Sequence, residues 1–448
     1  MFAAINSFLT RVAGTYLVNK SLRFRSSASA YLTRTFGTPT SGTTWTWSGW
    51  VKRGALGSLS EIFTGNSAVN ITALEFQSSD TLYFQLGNGT TAYSIGTNAV
   101  FRDPAAWYHI SVVADTTQAS GTITGISTDR IKMYINGVQV TSFIGGSPTP
   151  PPQNYVGDWN LNGAAGNIGR WTSGAARYFD GELAEVNFVD GQALAPTAFG
   201  AYSTYNQWLP IRYAGTYGTN GFYLPFTNTA STSTLVADSS GNANNWTPNN
   251  ISLTGGATYD SLTDVPTLTS TTVANYCVIN PLSPTLNSGT ISNGNLRNVS
   301  AFDGSGCIAY GTIGVTSGKF YFEVESVSNG GRGQATLGIY TNNSGLVKYS
   351  GDAGDTGYTT YGTYGVAFDV DAGKLWYRNS SGSWVSGDPV AGTSPTSTFT
   401  ANLITFPYCG TSRTSGFTNS GIGNWNFGQQ PFTYTPPTGF LALNTYNL

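Results

Sequence analysis

Apolar side chains recur at every second position along most of this chain, in runs too short for helices. Arg130 to Val140 (RIKMYINGVQV) shows the pattern best: Ile131, Met133 and Ile135 share one face, Asn136-Gly137 turns the chain, and Val138 and Val140 return on that face. Asn-Gly tolerates the positive φ of a type I′ turn, which predicts a two-residue hairpin with Ile135 opposite Val138. The same period marks Leu22 and Phe24, Ala30 to Leu32, Thr43 to Val51, Ile62-Phe63, Ile71 to Phe76, Thr81 to Leu86, Trp107 to Val113 and Tyr178 to Val189. Trp45 and Trp47 share a face, and Trp50 lies in the opposite phase unless Ser48-Gly49 bulges.

Strands at intervals of roughly 8 to 12 residues, separated by Gly, Asn and Ser, predict an antiparallel β-sandwich or jelly roll. Its span is residues 21–200. Alternation resumes at Gly318 to Val324, Ala335 to Tyr340, Tyr364 to Val370, Lys374 to Arg378, Ile404 to Tyr408 and Trp425 to Phe432, predicting a second sandwich over 290–448. The fold class is therefore all-β, with two antiparallel sandwich domains. Residues 201–289 break the pattern. Tyr223 to Phe226 and Asp238 to Trp246 (DSSGNANNW) are too aromatic for a free linker, so this connector is expected to be irregular and pinned to a neighbouring domain.

In residues 1–20 the period changes: Phe2, Ile5, Phe8, Leu9 and Val12 recur at helical spacing. Two readings stand, a short helix or terminus covering a sheet edge, or an arm that docks on a larger assembly. The segment lacks a basic stretch ahead of its apolar residues, so no secretory signal is expected. No apolar run of about 18 residues occurs, so membrane insertion is not expected either.

Composition narrows the partners. Only 9% of the residues are charged, the net charge is -2, and no basic block occurs, which argues against nucleic acid. Aromatics at 14% argue against disorder. Cys277, Cys307 and Cys409 are widely spaced without a CxxC, fitting buried thiols better than a disulfide framework or zinc site; one pair could bridge in an oxidising environment.

Catalytic patterns are weak, and no catalytic residue is assigned. His109, the sole histidine, lies in strand phase among apolar residues and lacks a metal-ligand or triad partner at a recognisable spacing. Glu182 and Glu185 are three apart, on opposite strand faces unless bulged. Glu323 and Glu325 share a face and form the better carboxylate pair, although solvated charges on an outer face are the commoner origin of that pattern. The glycines of Asn329 to Gly333 read as turn residues rather than a phosphate cradle. No cofactor is expected. Calcium is the ion that loop carboxylates admit, at Asp180 and Asp190 first and also at Asp238, Asp352 and Asp355, where capping of local turns competes. Trp159, Trp171 and Trp384 sit in Gly-, Asn- and Ser-rich surroundings and are the candidates for a glycan- or protein-binding platform, against the default of core aromatics.

Several segments together resemble known families. LRFRSSASAYLTRTF from Leu22, WTWSGWVKRG from Trp45, WYHISVV, DRIKMYINGVQV and FDGELAEVNFVDG from Phe179 resemble a laminin-G-like domain of the concanavalin A-like superfamily. GKFYFEVE from Gly318, YGVAFDVDAGKLWYRNSSGSW from Tyr364 and NFGQQPFTYTPPTGF from Asn426 resemble a SPRY domain. GTYGTNGFYLPF from Gly215 and DSSGNANNWTPNNIS from Asp238 look like the connector of tailed-bacteriophage virion proteins that carry this pair. The resemblance implies two concanavalin A-like jelly rolls in a bacteriophage virion surface protein of fibre or adhesin type, meeting a host cell-surface glycan or protein. The alternative is a head or tail decoration protein binding only other virion proteins, and a glycan hydrolase ranks below both. Residues Phe2 to Val12 would then anchor the chain to the virion. A homo-oligomer follows from fibre analogy alone, since no heptad run predicts a stalk.

Overall fold

The computed structural model describes residues 16–66, 71–88, 91–119, 129–145, 148–172, 174, 176–283, 289–299, 307–327, 334–342, 345–349, 361–412 and 421–448. Phe2, Ile5, Phe8, Leu9 and Val12 lie outside these residues, as do Asn329 to Gly333, Asp352 and Asp355. The described chain forms two compact units, one built from residues up to Leu253 with Val265–Thr267, the other from Thr254–Asp264 and Leu268–Leu448. Among the described residues no helix is long and apolar enough to cross a membrane.

The first unit contains β1 (Ser21–Phe24), β2 (Tyr31–Thr35), β3 (Thr44–Arg53), β4 (Ser60–Asn66), β5 (Thr72–Phe76), β6 (Thr81–Gly87), β7 (Ala92–Val100) and β8 (Trp107–Asp115). These are followed by β9 (Ile131–Ile135), β10 (Val138–Gln139), β11 (Ala165–Ile168), β12 (Gly181–Asp190), β13 (Gly200–Tyr202), β14 (Trp208–Pro210), β15 (Phe222–Leu224) and β16 (Thr247–Asn249). One sheet runs β10-β9-β8-β3-β12-β1, with β15 also on β12; the other runs β16-β2-β11-β4-β5-β6-β7. Their inner faces share one core, where Trp45 meets Phe84 at 5.9 Å and Trp47 meets Phe63 at 6.5 Å between ring centroids. Burying aromatic faces from both sheets is what stacks them, each such ring removing a large apolar area from water.

Alternation predicts faces well here. β3 and β8 pair without a register break from Thr44↔Asp115 to Lys52↔Trp107, so Ser48-Gly49 does not bulge and Trp50 lies against His109 on the face opposite Trp45 and Trp47. The Asn-Gly hairpin has Val138 opposite Ile135 and positive φ at both turn residues. Val138 itself is 61% exposed, because β10 is a two-residue edge strand with no neighbour beyond it. The register shift falls instead in β12, between Ala184 and Asn187, where Glu185 takes a φ of 52°.

Residues 201–253 belong to this first unit. β15 extends the sheet on β12, and Phe222 and Trp246 pack together at 5.1 Å within the core. The one-turn helix α1 (Thr232–Leu235), which the strand pattern does not predict, is held by a capping box between Ser231 and Thr234.

The second unit contains β17 (Ser261–Leu262), β18 (Thr290–Ser292), β19 (Arg297–Val299), β20 (Cys307–Tyr310), β21 (Lys319–Val327), β22 (Gln334–Thr341), β23 (Gly345–Tyr349) and β24 (Gly362–Asp369). β25 (Lys374–Arg378), β26 (Ser397–Thr398), β27 (Thr405–Ser412) and β28 (Ile422–Asn426) complete it. Its sheets run β18-β19-β28-β21-β24-β25-β26 and β20-β27-β22-β23, antiparallel throughout. Phe320, Phe322 and Val324 of the first share a core with Leu337, Ile339 and Cys409 of the second, a sandwich-like packing. Cys277, Cys307 and Cys409 are buried free thiols, and burial pushes that of Cys307 up to about 11.

Candidate functional site

The first unit carries an open basin of about 540 Å³, lined by Thr40, Thr216, Tyr217, Thr219, Ser240 and Asn242 with intervening glycine backbone. Three loops distant in sequence meet there, and two carboxylates hold them. Asp190, at the end of β12, is 1% exposed. One of its oxygens accepts the N–H groups of Thr40 (2.7 Å) and Asn220 (3.0 Å); the other accepts Ser41 N–H (3.1 Å) and the Asn160 amide (2.6 Å). Asp238 likewise accepts Tyr223 and Ser240 N–H on one oxygen and the Ser240 hydroxyl and Asn244 N–H on the other. A carboxylate is the side chain suited to this task, since its two oxygens offer about four acceptor positions to backbone donors.

Amides complete the scaffold. Asn242 donates to the carbonyls of Gly218 and Gly221, and Asn244 to those of Thr219 and Gly221. Gly218 has a φ of 71°, and a Cβ there would lie 2.1 Å from the Asp190 carbonyl oxygen, so only glycine permits this approach. The result is a fixed, uncharged surface of hydroxyls, amides and peptide groups, the donor and acceptor set that recognises a hydroxyl-rich neutral ligand.

The sequence-singled residues fall elsewhere or take other parts. Trp159 is fully buried: its ring packs on Phe63 at 4.4 Å and Trp45 at 5.1 Å, and its indole donates to the Thr72 carbonyl. It is a core residue and not a platform. Trp171 and Trp384 are half-buried, each with a guanidinium over one ring face, Arg177 at 4.0 Å and Arg378 at 4.4 Å. Asp180 is buried and accepts the N–H and hydroxyl of Ser26. Asp190 underlies the basin, its acceptor capacity taken by N–H donors. Among the described residues no three His, Cys, Asp or Glu side chains converge as metal ligands.

Three carboxylate arrangements bear on chemistry. Glu61 and Glu75 face each other across β4 and β5, and Arg177 reaches Glu61 at 3.3 Å and Glu75 at 3.9 Å. Burial first, and then the neighbouring Glu75, hold the Glu61 carboxyl far above the usual carboxylate range. Sequence inspection misses this pair, because its members belong to different strands and only the register juxtaposes them. Glu185 lies on the β12 bulge, 6% exposed, its oxygens accepting the phenols of Tyr16 (3.2 Å) and Tyr223 (2.8 Å); burial raises its pKa to about 7. Glu182 is buried as well.

In the second unit, Glu323 and Glu325 line one cavity of about 40 Å³. Glu323 is buried and accepts the N–H groups of Thr433 and Tyr434 and the Tyr321 phenol, while Glu325 accepts the Asn424 amide. His109 is fully buried beside Ser48 (2.8 Å), and burial lowers its pKa to about 3, so the ring is neutral.

Residues 26–198 match the family model described as the concanavalin A-like lectin/glucanases superfamily, so the chain carries an N-terminal concanavalin A-like, laminin-G-like domain. Among solved structures, a heptameric SAP-like pentraxin from Limulus polyphemus is 18% identical over 40% of this chain and 78% of its own, with a TM-score of 0.28. A putative carbohydrate binding protein from Bacteroides ovatus is 17% identical over 54% of this chain and 64% of its own, with a TM-score of 0.34. No curated protein matches the chain.

Proposed function

We propose that this chain is a non-enzymatic glycan-recognition protein of fibre or adhesin type, displayed on the surface of a tailed-bacteriophage virion. The observation that carries glycan recognition is the uncharged, hydroxyl- and amide-lined basin of the first unit, which Thr40 of the concanavalin A-like domain forms with the following segments around Thr216–Thr219 and Ser240–Asn242. The virion setting, and a SPRY-like identity for the second unit, rest on the sequence resemblances of both units and of Gly215 to Ser252. The non-enzymatic reading draws on the carboxylates: Glu61 and Glu75 are buried cross-strand partners that share Arg177, an ion-paired arrangement within the β4–β5 ladder. Glu323 is occupied as an acceptor of two backbone N–H groups and a phenol.

The test is saturable binding of the full chain to candidate host cells, with and without periodate oxidation of their glycans. Binding should be lost on oxidation, and Thr216→Arg, which places a long side chain in the basin from an exposed position, should weaken it with folding retained. A folded protein that binds no host cell would refute the adhesin and favour a decoration role with other virion proteins as sole partners.

A further inference from the structure

We propose that Tyr202 and Tyr205, on the hairpin of β13 and β14, form an aromatic platform that stacks on the pyranose faces of a neutral glycan chain. This rests on the glycan-recognition reading above and gives it a second contact surface, apart from the basin lining.

The turn is built to hold its rings out. Ser203 N–H donates to the Gln207 carbonyl (2.8 Å) and Asn206 N–H to the Ser203 carbonyl (3.0 Å). The Ser203 hydroxyl accepts the N–H groups of Tyr205 (3.2 Å) and Gln207 (3.1 Å), and Asn206 takes a φ of 60°. Ser203 thereby ties Tyr205, Asn206 and Gln207 together across the turn. Tyr205 stands on this brace 65% exposed, the most exposed large apolar side chain among the described residues. Tyr202 is 48% exposed, and its phenol donates to the Asn136 carbonyl at 2.9 Å, fixing the ring against the Asn-Gly turn.

Beneath them lies a rigid support. Trp208 is 7% exposed, edge-on to Tyr202 at 4.9 Å and 5.8 Å from the buried His109 ring. Gly137 and Gly200 leave room for its indole, since a Cβ on either would come within about 2.5 Å of the ring. Two exposed aromatic rings on one braced, Trp-backed turn offer apolar faces to a ligand. Pre-ordering the turn removes the entropy that binding would otherwise spend in fixing it.

The surroundings select the ligand class. Gly200–Ile211 contains no charged residue, and Ser203, Thr204, Asn206 and Gln207 flank the rings with hydroxyls and amides. A sugar ring presents this combination in reverse, a C–H face bordered by hydroxyls. A protein partner would instead need a contiguous desolvated apolar centre, which this polar turn does not provide.

The experiment titrates the full chain with linear neutral hexasaccharides of glucose, mannose and galactose, read by saturation-transfer NMR and calorimetry. At least one should bind, and Tyr202→Ala and Tyr205→Ala should each raise its Kd roughly three- to tenfold, the loss of one aromatic contact. Tyr205→Phe should bind as the parent does, because the ring and not the hydroxyl makes the contact. Unchanged melting temperature for Tyr205→Ala would separate lost contact from lost folding. If the alanine variants bind as tightly as the parent, the platform is refuted. It is refuted too if no hexasaccharide binds while periodate-sensitive cell binding persists, an outcome that leaves the adhesin standing. Absence of both kinds of binding overturns both.

Discussion

Replacing Glu185 with Gln isolates the energetic cost of one buried carboxylate. In the folded chain this carboxyl keeps its proton up to about pH 7, chiefly through burial, with the Tyr223 and Tyr16 phenols and the exposed Arg212 opposing the shift. Unfolded, it ionises near its ordinary 4.5. Between those pH values the folded state binds more protons than the unfolded one, so this residue's contribution to stability falls as pH rises from about 4.5 to about 7, then levels off. The full difference is worth about 3 kcal/mol, at about 1.4 kcal/mol for each tenfold in proton affinity. Gln has no proton to lose and keeps one acceptor and one donor for the two phenols. The advantage of Glu185→Gln over the parent should therefore grow by about 2 to 3 kcal/mol between pH 5 and pH 8. Urea titrations followed by tryptophan fluorescence measure it, as a midpoint displacement on the order of 1 M at unchanged slope. Glu61, Glu75 and Glu323, also raised by burial, titrate in both proteins and cancel from the comparison. An advantage equal at the two pH values would refute the reasoning.

Two further substitutions test the scaffold. Asp190→Asn turns one of two acceptor oxygens into a donor, opposing a pair of N–H groups that now bond to it, and should cost about 3 kcal/mol in urea unfolding of the first unit. It should weaken glycan binding as well, because the loops around Thr40 and Asn220 lose their clamp. Gly137→Ala puts a methyl group 2.5 Å from the Trp208 ring at a φ of 81°, and should lower stability by more than about 1 kcal/mol with a changed near-ultraviolet circular dichroism signal.

Period-2 alternation and turn chemistry are local properties, and they determined much of this protein in advance. Strand positions, the face of Trp50 and the register of the Asn136-Gly137 hairpin all follow from residues within a few positions of one another. Burial is not local. Trp159 sits among Gly and Asn like an exposed loop residue, yet three aromatic rings from distant strands enclose it. Val138 has the right phase for the core but lies on an edge strand, where no neighbour covers it.

The site divides in the same way. Asp190 and Asp238 stand out in the sequence as loop carboxylates, and the Asn-rich run from Asp238 to Trp246 marks a built loop. That their acceptors clamp the backbone around residues 40 and 220 depends on loop convergence that no spacing encodes. The Glu61–Glu75 pair needs the cross-strand register, and the burial of Glu185 needs a bulge that lays it under Tyr16 and Tyr223. Sequence by itself determined which residues form strands and turns, because backbone preference acts over a few residues. Tertiary structure alone decided which polar groups are enclosed, because desolvation depends on everything that packs around them.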